Sequence, residues 1–298
     1  MSLAHHPLKA AFWMTGAIVS FTAMAIAGRA VSGVHDTFEI MTARSAVGFV
    51  LLVVIAKGLG RSGEVSSQRL GGHFLRNVIH FTGQNLWFWA LALIPLAQVF
   101  ALEFTSPLWV LLVSPLVLGE KLTRARVFAG LLGFAGILIV TRPFGAALSP
   151  GVLAAAGSAF FFAMTSVLTK RLTRNESIIS ILFWLTGMQF VFGMVGTLWD
   201  GVVHWPDANT LPWLALIGCA GLLAHLSLTS ALRLAPASFV APLDFIRLPV
   251  IAVIGALYFQ EALDPWVLVG GVVIFGGVWL NIRDQLRLEG STAPVTIA

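Results

Sequence analysis

The sequence predicts an all-α integral membrane protein in which ten transmembrane helices form two five-helix halves of opposite sense, a 5+5 inverted repeat. Three observations carry this. First, 58% of the 298 residues are hydrophobic and only 10% are charged, with a mean hydropathy of +0.91. A soluble domain carries roughly a quarter charged residues, so there is too little polar surface here to cover a globule in water. Second, the stretch 90–140 recurs without a gap at 231–281, an offset of 141 residues. About 13 of the 51 aligned positions are identical, and Pro95 meets Pro236, Glu103 meets Asp244, Glu120 meets Glu261, Gly130 meets Gly271 and Gly136 meets Gly277. An internal repeat of this kind fixes architecture before any finer reading. Third, the basic residues fall on alternate gaps between apolar runs.

The runs are long enough to cross about 30 Å of hydrocarbon, and they lack the strict alternation of barrel strands, so they read as helices. In order they span 10–30, 37–57, 72–93, 97–118, 125–141, 150–170, 178–199, 211–231, 237–259 and 266–283. Pro, Gly or charged residues punctuate most of the gaps. The first run, with Ala25-Ile-Ala27 near its end, has the outline of a cleaved signal segment. The offset nevertheless pairs Gly16 with Gly157, Phe21 with Phe162 and Arg29 with Lys170, so it is kept as a helix equivalent to the sixth. Residues 1–141 thus form the first repeat, 142–287 the second, and 288–298 a cytoplasmic tail. About 14 Lys and Arg fall on one side of the bilayer against two, Arg29 and Arg142, on the other, which places both termini in the cytoplasm. Because each half has an odd number of spans, the halves enter the membrane in opposite senses.

The +5 net charge lies in these gaps, so it sets orientation and argues against a nucleic-acid partner. The lone Cys219 excludes an internal disulfide. With no CxxC pair and the His residues scattered, no metal site and no cofactor is expected.

The segments IPLAQ, SPLWVLLVSPLVLGEKLTRARVFAGLLGFAGILIV and their second copies, APASFVAPLDF and QEALDPWVLVGGVVIFGGVWL, resemble the EamA-type repeat of the drug/metabolite transporter superfamily. The resemblance covers both halves. It implies ten helices, termini inside, and alternating access around a central cavity. The expected activity is therefore that of a secondary transporter of the inner membrane, moving a small organic metabolite such as an amino acid, a vitamin or a nucleoside-like solute. The chain is not expected to be an enzyme. No Walker A sequence is present to couple ATP. The alternative, an integral-membrane enzyme acting on lipid or another embedded substrate, needs a nucleophile with its base or a metal cluster, and no motif supplies one. A channel lacks its ring of like charges.

Interrupted helices at corresponding positions point to a transporter's binding site. The fourth span carries Pro107 and Pro115 and the ninth Pro242 and Pro249, expected hinges that free backbone carbonyls next to Glu103 and Asp244. Ionisable side chains inside a span mark function by default. These are Arg44, Glu103, Asp244 and Arg247. Asp244 and Arg247 are three apart and can pair, whereas Glu103 is the obvious partner for Arg44 unless Arg44 faces an anionic solute. His80, Gln84 and Trp87 fall on one stripe of the third span and suit a wet cavity wall, and His225 of the eighth span is a similar candidate with fewer polar neighbours. Trp89, Trp109 and Trp184 are further stacking candidates. Glu120 and Glu261 read as helix-end hydrogen-bonding residues, Thr123 and Asp264 as N-caps with Pro265 following. The glycines of spans five and ten offer close-packing faces for a homodimer. The expected partners are therefore a small solute, the lipid bilayer and a second copy of the chain.

Overall fold

The computed structural model describes residues 6–94, 96–141, 149–199, 201–248, 250 and 265–292. Its helices are α1 (Pro7–Val31), α2 (Thr37–Gly58), α3 (Leu70–Leu93), α4 (Leu96–Glu103), α5 (Ser106–Leu118), α6 (Arg124–Thr141), α7 (Pro150–Leu172), α8 (Ile178–Trp199), α9 (Leu211–Leu234), α10 (Ala237–Leu243) and α11 (Pro265–Thr292). Most ends lie within a few residues of the expected spans. Three differences are physical. The fourth span is not a kinked rod but two helices, broken at Phe104 and Thr105, with Pro107 in the first turn of α5. There its missing N–H is one of the donors a helix start leaves free anyway. The start of the ninth span breaks too: α10, with Pro242 inside it, passes into a tight turn at Asp244–Ile246. The last helix runs on to Thr292, well into the expected tail. Pro95, Arg142, Pro249, Glu261 and Asp264 lie outside the described residues.

By length and composition α1, α2, α7, α8 and α9 can each cross a membrane. Helix α3 is as long but carries His73, Arg76, Asn77, His80 and Gln84, all buried, which lowers its hydropathy. The bundle is apolar outside and polar within. Val50, Leu116, Val195 and Val272 are exposed, whereas Arg44, Arg76, Gln189, Arg247 and Asn281 are buried. That is the distribution expected where hydrocarbon replaces water as the solvent. Trp199, Trp205, Trp266 and Trp279 lie exposed, as aromatic residues of a membrane interface do.

Local hydrogen bonds repeat with the sequence. Asp36 caps α2, its carboxylate accepting from the N–H of Phe38 and Glu39 at 2.7 and 2.8 Å. Its repeat-equivalent Ser177 caps α8 by accepting from Ser180 N–H at 3.0 Å. Arg29 donates to the carbonyls of Leu91 and Ile94 at the end of α3. Its equivalent Lys170 donates to the equivalent carbonyls, Leu232 and Ala235, at 2.6 and 2.7 Å at the end of α9. A cation on orphan C-terminal carbonyls satisfies both partners and complements the helix dipole. Loops are stitched across the halves in the same way: Glu39 accepts from His204 N–H at 2.5 Å, and Ser180 from Ser66 N–H at 3.1 Å.

Packing follows the same rule. Helix α1 packs on α9 and α7 on α3, while α2 packs on α8 and α6 on α11. Of the glycines expected to form a dimer face, Gly133, Gly136 and Gly277 meet at the α6–α11 seam, whereas Gly130 lies against Leu111 of α5 and Gly276 meets nothing within 4 Å. Glu120 behaves as expected, its carboxylate accepting from the N–H groups of Ala237 and Ser238 at 2.8 and 3.0 Å to cap α10. Thr123 also behaves as expected, its hydroxyl accepting from Arg126 N–H at 3.1 Å.

Candidate functional site

The two helix breaks are the reason a site exists. Each halts a helix at a carboxylate, Glu103 at the end of α4 and its equivalent Asp244 directly after α10. Arg247, one turn on from Asp244, holds both. Its guanidinium donates to Asp244 at 2.8 Å and also to Glu103. The other Glu103 oxygen accepts from the indole N–H of Trp87 at 2.6 Å. The rings of Phe21, Phe100 and Phe104 surround the guanidinium, 5.1 to 5.4 Å from its central carbon. Cation–π attraction of this kind strengthens when the cation is desolvated. A buried charge cluster is tolerable only when paired and hydrogen-bonded, and this one is.

Beside the cluster lies a cavity of about 80 Å³, walled by Phe21, Phe162, Met24, Thr165, Gln84, His225, Trp87, Leu228, Glu103, Asp244, Ser106 and Arg247, together with Met14, His80, Pro107, Val110, Ser166 and Ala241. The first twelve are six pairs of residues separated by the 141-residue offset. The cavity therefore lies where the two repeats meet and draws equivalent positions from both. Several polar atoms on its wall have no partner among the described residues: both ring nitrogens of His80 and of His225, Nε2 of Gln84 and Oδ1 of Asp244. The two imidazoles stand edge to face, 4.7 Å between centroids. Buried polar groups are normally satisfied, so these open donors and acceptors mark the wall that a polar solute would complete.

Of the expected site residues, His80, Gln84, Trp87, Glu103, His225, Asp244 and Arg247 all line this cavity, as does Pro107. Arg44 does not. It lies against Gly221 of α9, and Glu103, its expected partner, is taken by Arg247. Pro115 sits inside α5 and Pro242 inside α10, neither on the wall. The stacking tryptophans are placed elsewhere. Trp89 and Trp109 are partly exposed, and the Trp184 indole donates to the Ser66 carbonyl at 2.7 Å. Sequence reasoning missed the aromatic box around Arg247, although Phe21 and Phe162 are an offset pair. It also missed Arg76, counted as a cytoplasmic charge. Arg76 lies one turn before His80 on the same stripe and is 1% exposed.

A duplicated helical bundle, apolar outside and enclosing a polar cavity between its repeats, defines a multi-pass membrane transporter. The chain belongs to the EamA-like transporter family of the drug/metabolite transporter superfamily, which matches residues 8–142 and 149–283. It is 34% identical over 265 residues to a riboflavin transporter of Vibrio cholerae, covering 87% of this chain and 88% of that one. It is 25% identical to an S-adenosylmethionine uptake transporter of Rickettsia bellii, covering 92% and 94%. A solved crystal structure superposes with a TM-score of 0.79 at 20% identity, covering 95% of this chain and all of the other, and so shares the fold.

Proposed function

We propose that this protein is a secondary transporter for a small polar aromatic metabolite of the flavin type, carrying it across the inner membrane by alternating access between two inverted repeats, 1–141 and 142–287. The observation that carries the reading is the cavity walled by repeat-equivalent pairs with unpartnered polar atoms. Arg247, Glu103, Asp244 and Trp87 form its charged end, His80, Gln84 and His225 its neutral polar wall, and the breaks at Pro107 and Pro242 its hinges. The flavin class rests on the likeness to the Vibrio cholerae riboflavin transporter. Ligand pockets generally run from roughly 300 to 1,000 Å³. At about 80 Å³ this cavity is closed down, and the cycle requires it to widen.

The inverted arrangement is supported by which helix ends meet. His6 N–H donates to the Leu234 carbonyl, setting the start of α1 at the end of α9. Gly151 at the start of α7 lies against Leu93 and Ile94 at the end of α3. With both termini cytoplasmic, Lys121 and Trp266 at the start of α11 fall on opposite faces of the bilayer. In a Cys219→Ser background, Lys121→Cys is expected to react with an impermeant maleimide from the cytoplasmic side and Trp266→Cys from the outside. Labelling of both from one side would remove the inversion.

The function itself is tested with purified protein in liposomes. Saturable uptake of radiolabelled riboflavin is expected, accelerated when the vesicles are preloaded with unlabelled riboflavin, as exchange through one alternating site requires. Flux no faster than that of empty liposomes rejects the flavin assignment. Saturable uptake without acceleration rejects the carrier mechanism.

A further inference from the structure

Two of the buried cations outside the cluster just described stand apart from the rest. Arg44 of α2 is 4% exposed and Arg76 of α3 is 1% exposed. Each lies one turn from the touching imidazoles of His80 and His225, Arg76 before His80 on α3 and Arg44 against Gly221, one turn before His225 on α9. The described residues place no carboxylate within 4 Å of either one. Arg44 makes no hydrogen bond from its guanidinium to any of them, and its Nε is buried without a partner. Arg76 reaches only neutral acceptors, the Thr169 hydroxyl at 3.0 Å and the Asn77 side-chain oxygen at 2.8 Å. The other buried cations are satisfied differently: Arg247 by two carboxylates, Arg126 by the Ser238 hydroxyl at 3.0 Å and the Asp284 carboxylate at 3.8 Å, and Lys170 by two carbonyls. A guanidinium cannot shed its proton to escape burial, and an uncompensated buried charge is strongly destabilising. A bound anion would neutralise this pair.

The cavity supplies the route. Arg76 is one turn before His80 on α3. Gly221, against whose backbone the Arg44 guanidinium packs, is one turn before His225 on α9. The touching imidazoles line the cavity and the two arginines do not, and the four ring nitrogens are unpartnered. We infer that Arg44 and Arg76 form an anion subsite, reached past His80 and His225, which takes a phosphate or carboxylate group carried by the transported solute. This rests on the transport reading above and adds to it a preference for a solute that bears such a group over the same solute without it.

The test is thermal protection of the detergent-purified full chain by riboflavin, by its 5′-phosphate ester, by inorganic phosphate and by citrate. In the wild-type protein the ester is expected to protect at a concentration at least about tenfold lower than riboflavin does. Arg44→Gln and Arg76→Gln should each erase that preference, while Arg44→Lys and Arg76→Lys should keep most of it. Unliganded Arg44→Gln should melt at or above the wild-type temperature, because it removes an unpaired charge. A marked fall would give Arg44 a packing role and overturn the subsite. Equal protection by riboflavin and its ester, or a preference that survives both Gln variants, also overturns it and leaves the transport reading intact. If neither flavin protects but phosphate or citrate does, and does so only while Arg44 is present, the subsite stands and the flavin class falls. No protection by any of the four overturns the subsite.

Discussion

Arg247→Lys is expected to reduce transport by roughly ten- to a hundredfold while the protein still folds and inserts. The arginine bridges Glu103 and Asp244 from one planar group and lies among three phenyl rings at 5.1 to 5.4 Å. Lysine is a point charge on a flexible stem. It can reach one carboxylate well, and it cannot present a flat face to the rings. Losing one charge-assisted hydrogen bond removes about 1.5–3 kcal/mol, which sets the range. Arg247→Ala is a harsher change, because it strands two buried carboxylates at a cost of about 3–5 kcal/mol, and for that reason the lysine variant is the informative one. Uptake should be compared at equal amounts of folded protein, measured by fluorescence-detected gel filtration. Wild-type rates in Arg247→Lys would mean that the cluster only locks α10 to α4 and does not handle solute. Trp87→Phe should behave as a milder relative, since it deletes one N–H to Glu103 and keeps the ring volume.

The architecture was readable because it is written twice. An offset that pairs prolines, carboxylates and glycines leaves few folds open, and it drew Glu103 and Asp244 together before any geometry was known. The stripe His80–Gln84–Trp87 was readable for a similar reason, since helical periodicity puts it on one face. Pairing was less legible. Arg44 and Arg247 look alike in sequence, as single arginines within apolar runs, and only the packing of α10 against α5 decides which of them reaches Glu103. Arg76 was hidden by its position near a helix start, where a basic residue ordinarily sits in the headgroup layer. The ring box around Arg247 draws Phe21 from α1, Phe100 from α4 and Phe104 from the break, three segments that no sequence period connects. A proline likewise announces an interruption without saying whether the helix will bend or stop. At Pro107 it stops, and that brings Glu103 to a helix end facing the cavity.

Adjacent glycines in α11 should respond to the same substitution with opposite signs. At Gly277 a Cβ would lie 2.8 Å from the Ala129 carbonyl oxygen and 3.0 Å from the Gly133 nitrogen, both backbone atoms of α6. At Gly276 it would meet nothing within 4 Å. Glycine inside a helix is disfavoured by about 0.8–1.0 kcal/mol relative to alanine, so Gly276→Ala should raise the melting temperature. Gly277→Ala receives the same propensity gain but must push two helix backbones apart. Overpacking costs about 1–3 kcal/mol and sometimes more, so the net sign reverses, and Gly277→Val should fail to assemble. The repeat supplies an internal replicate. Gly136, the equivalent of Gly277, places its Cβ 2.8 Å from the Gly270 carbonyl, the equivalent of Ala129. Gly136→Ala should therefore destabilise by about as much as Gly277→Ala. If Gly277→Ala instead stabilises the protein, then α6 and α11 do not meet backbone to backbone, and the glycines are free to serve a contact between copies after all. Because the seam lies away from the cavity wall, transport per folded molecule should stay near the wild-type value in Gly276→Ala, whereas the yield of folded protein alone should fall in Gly277→Ala.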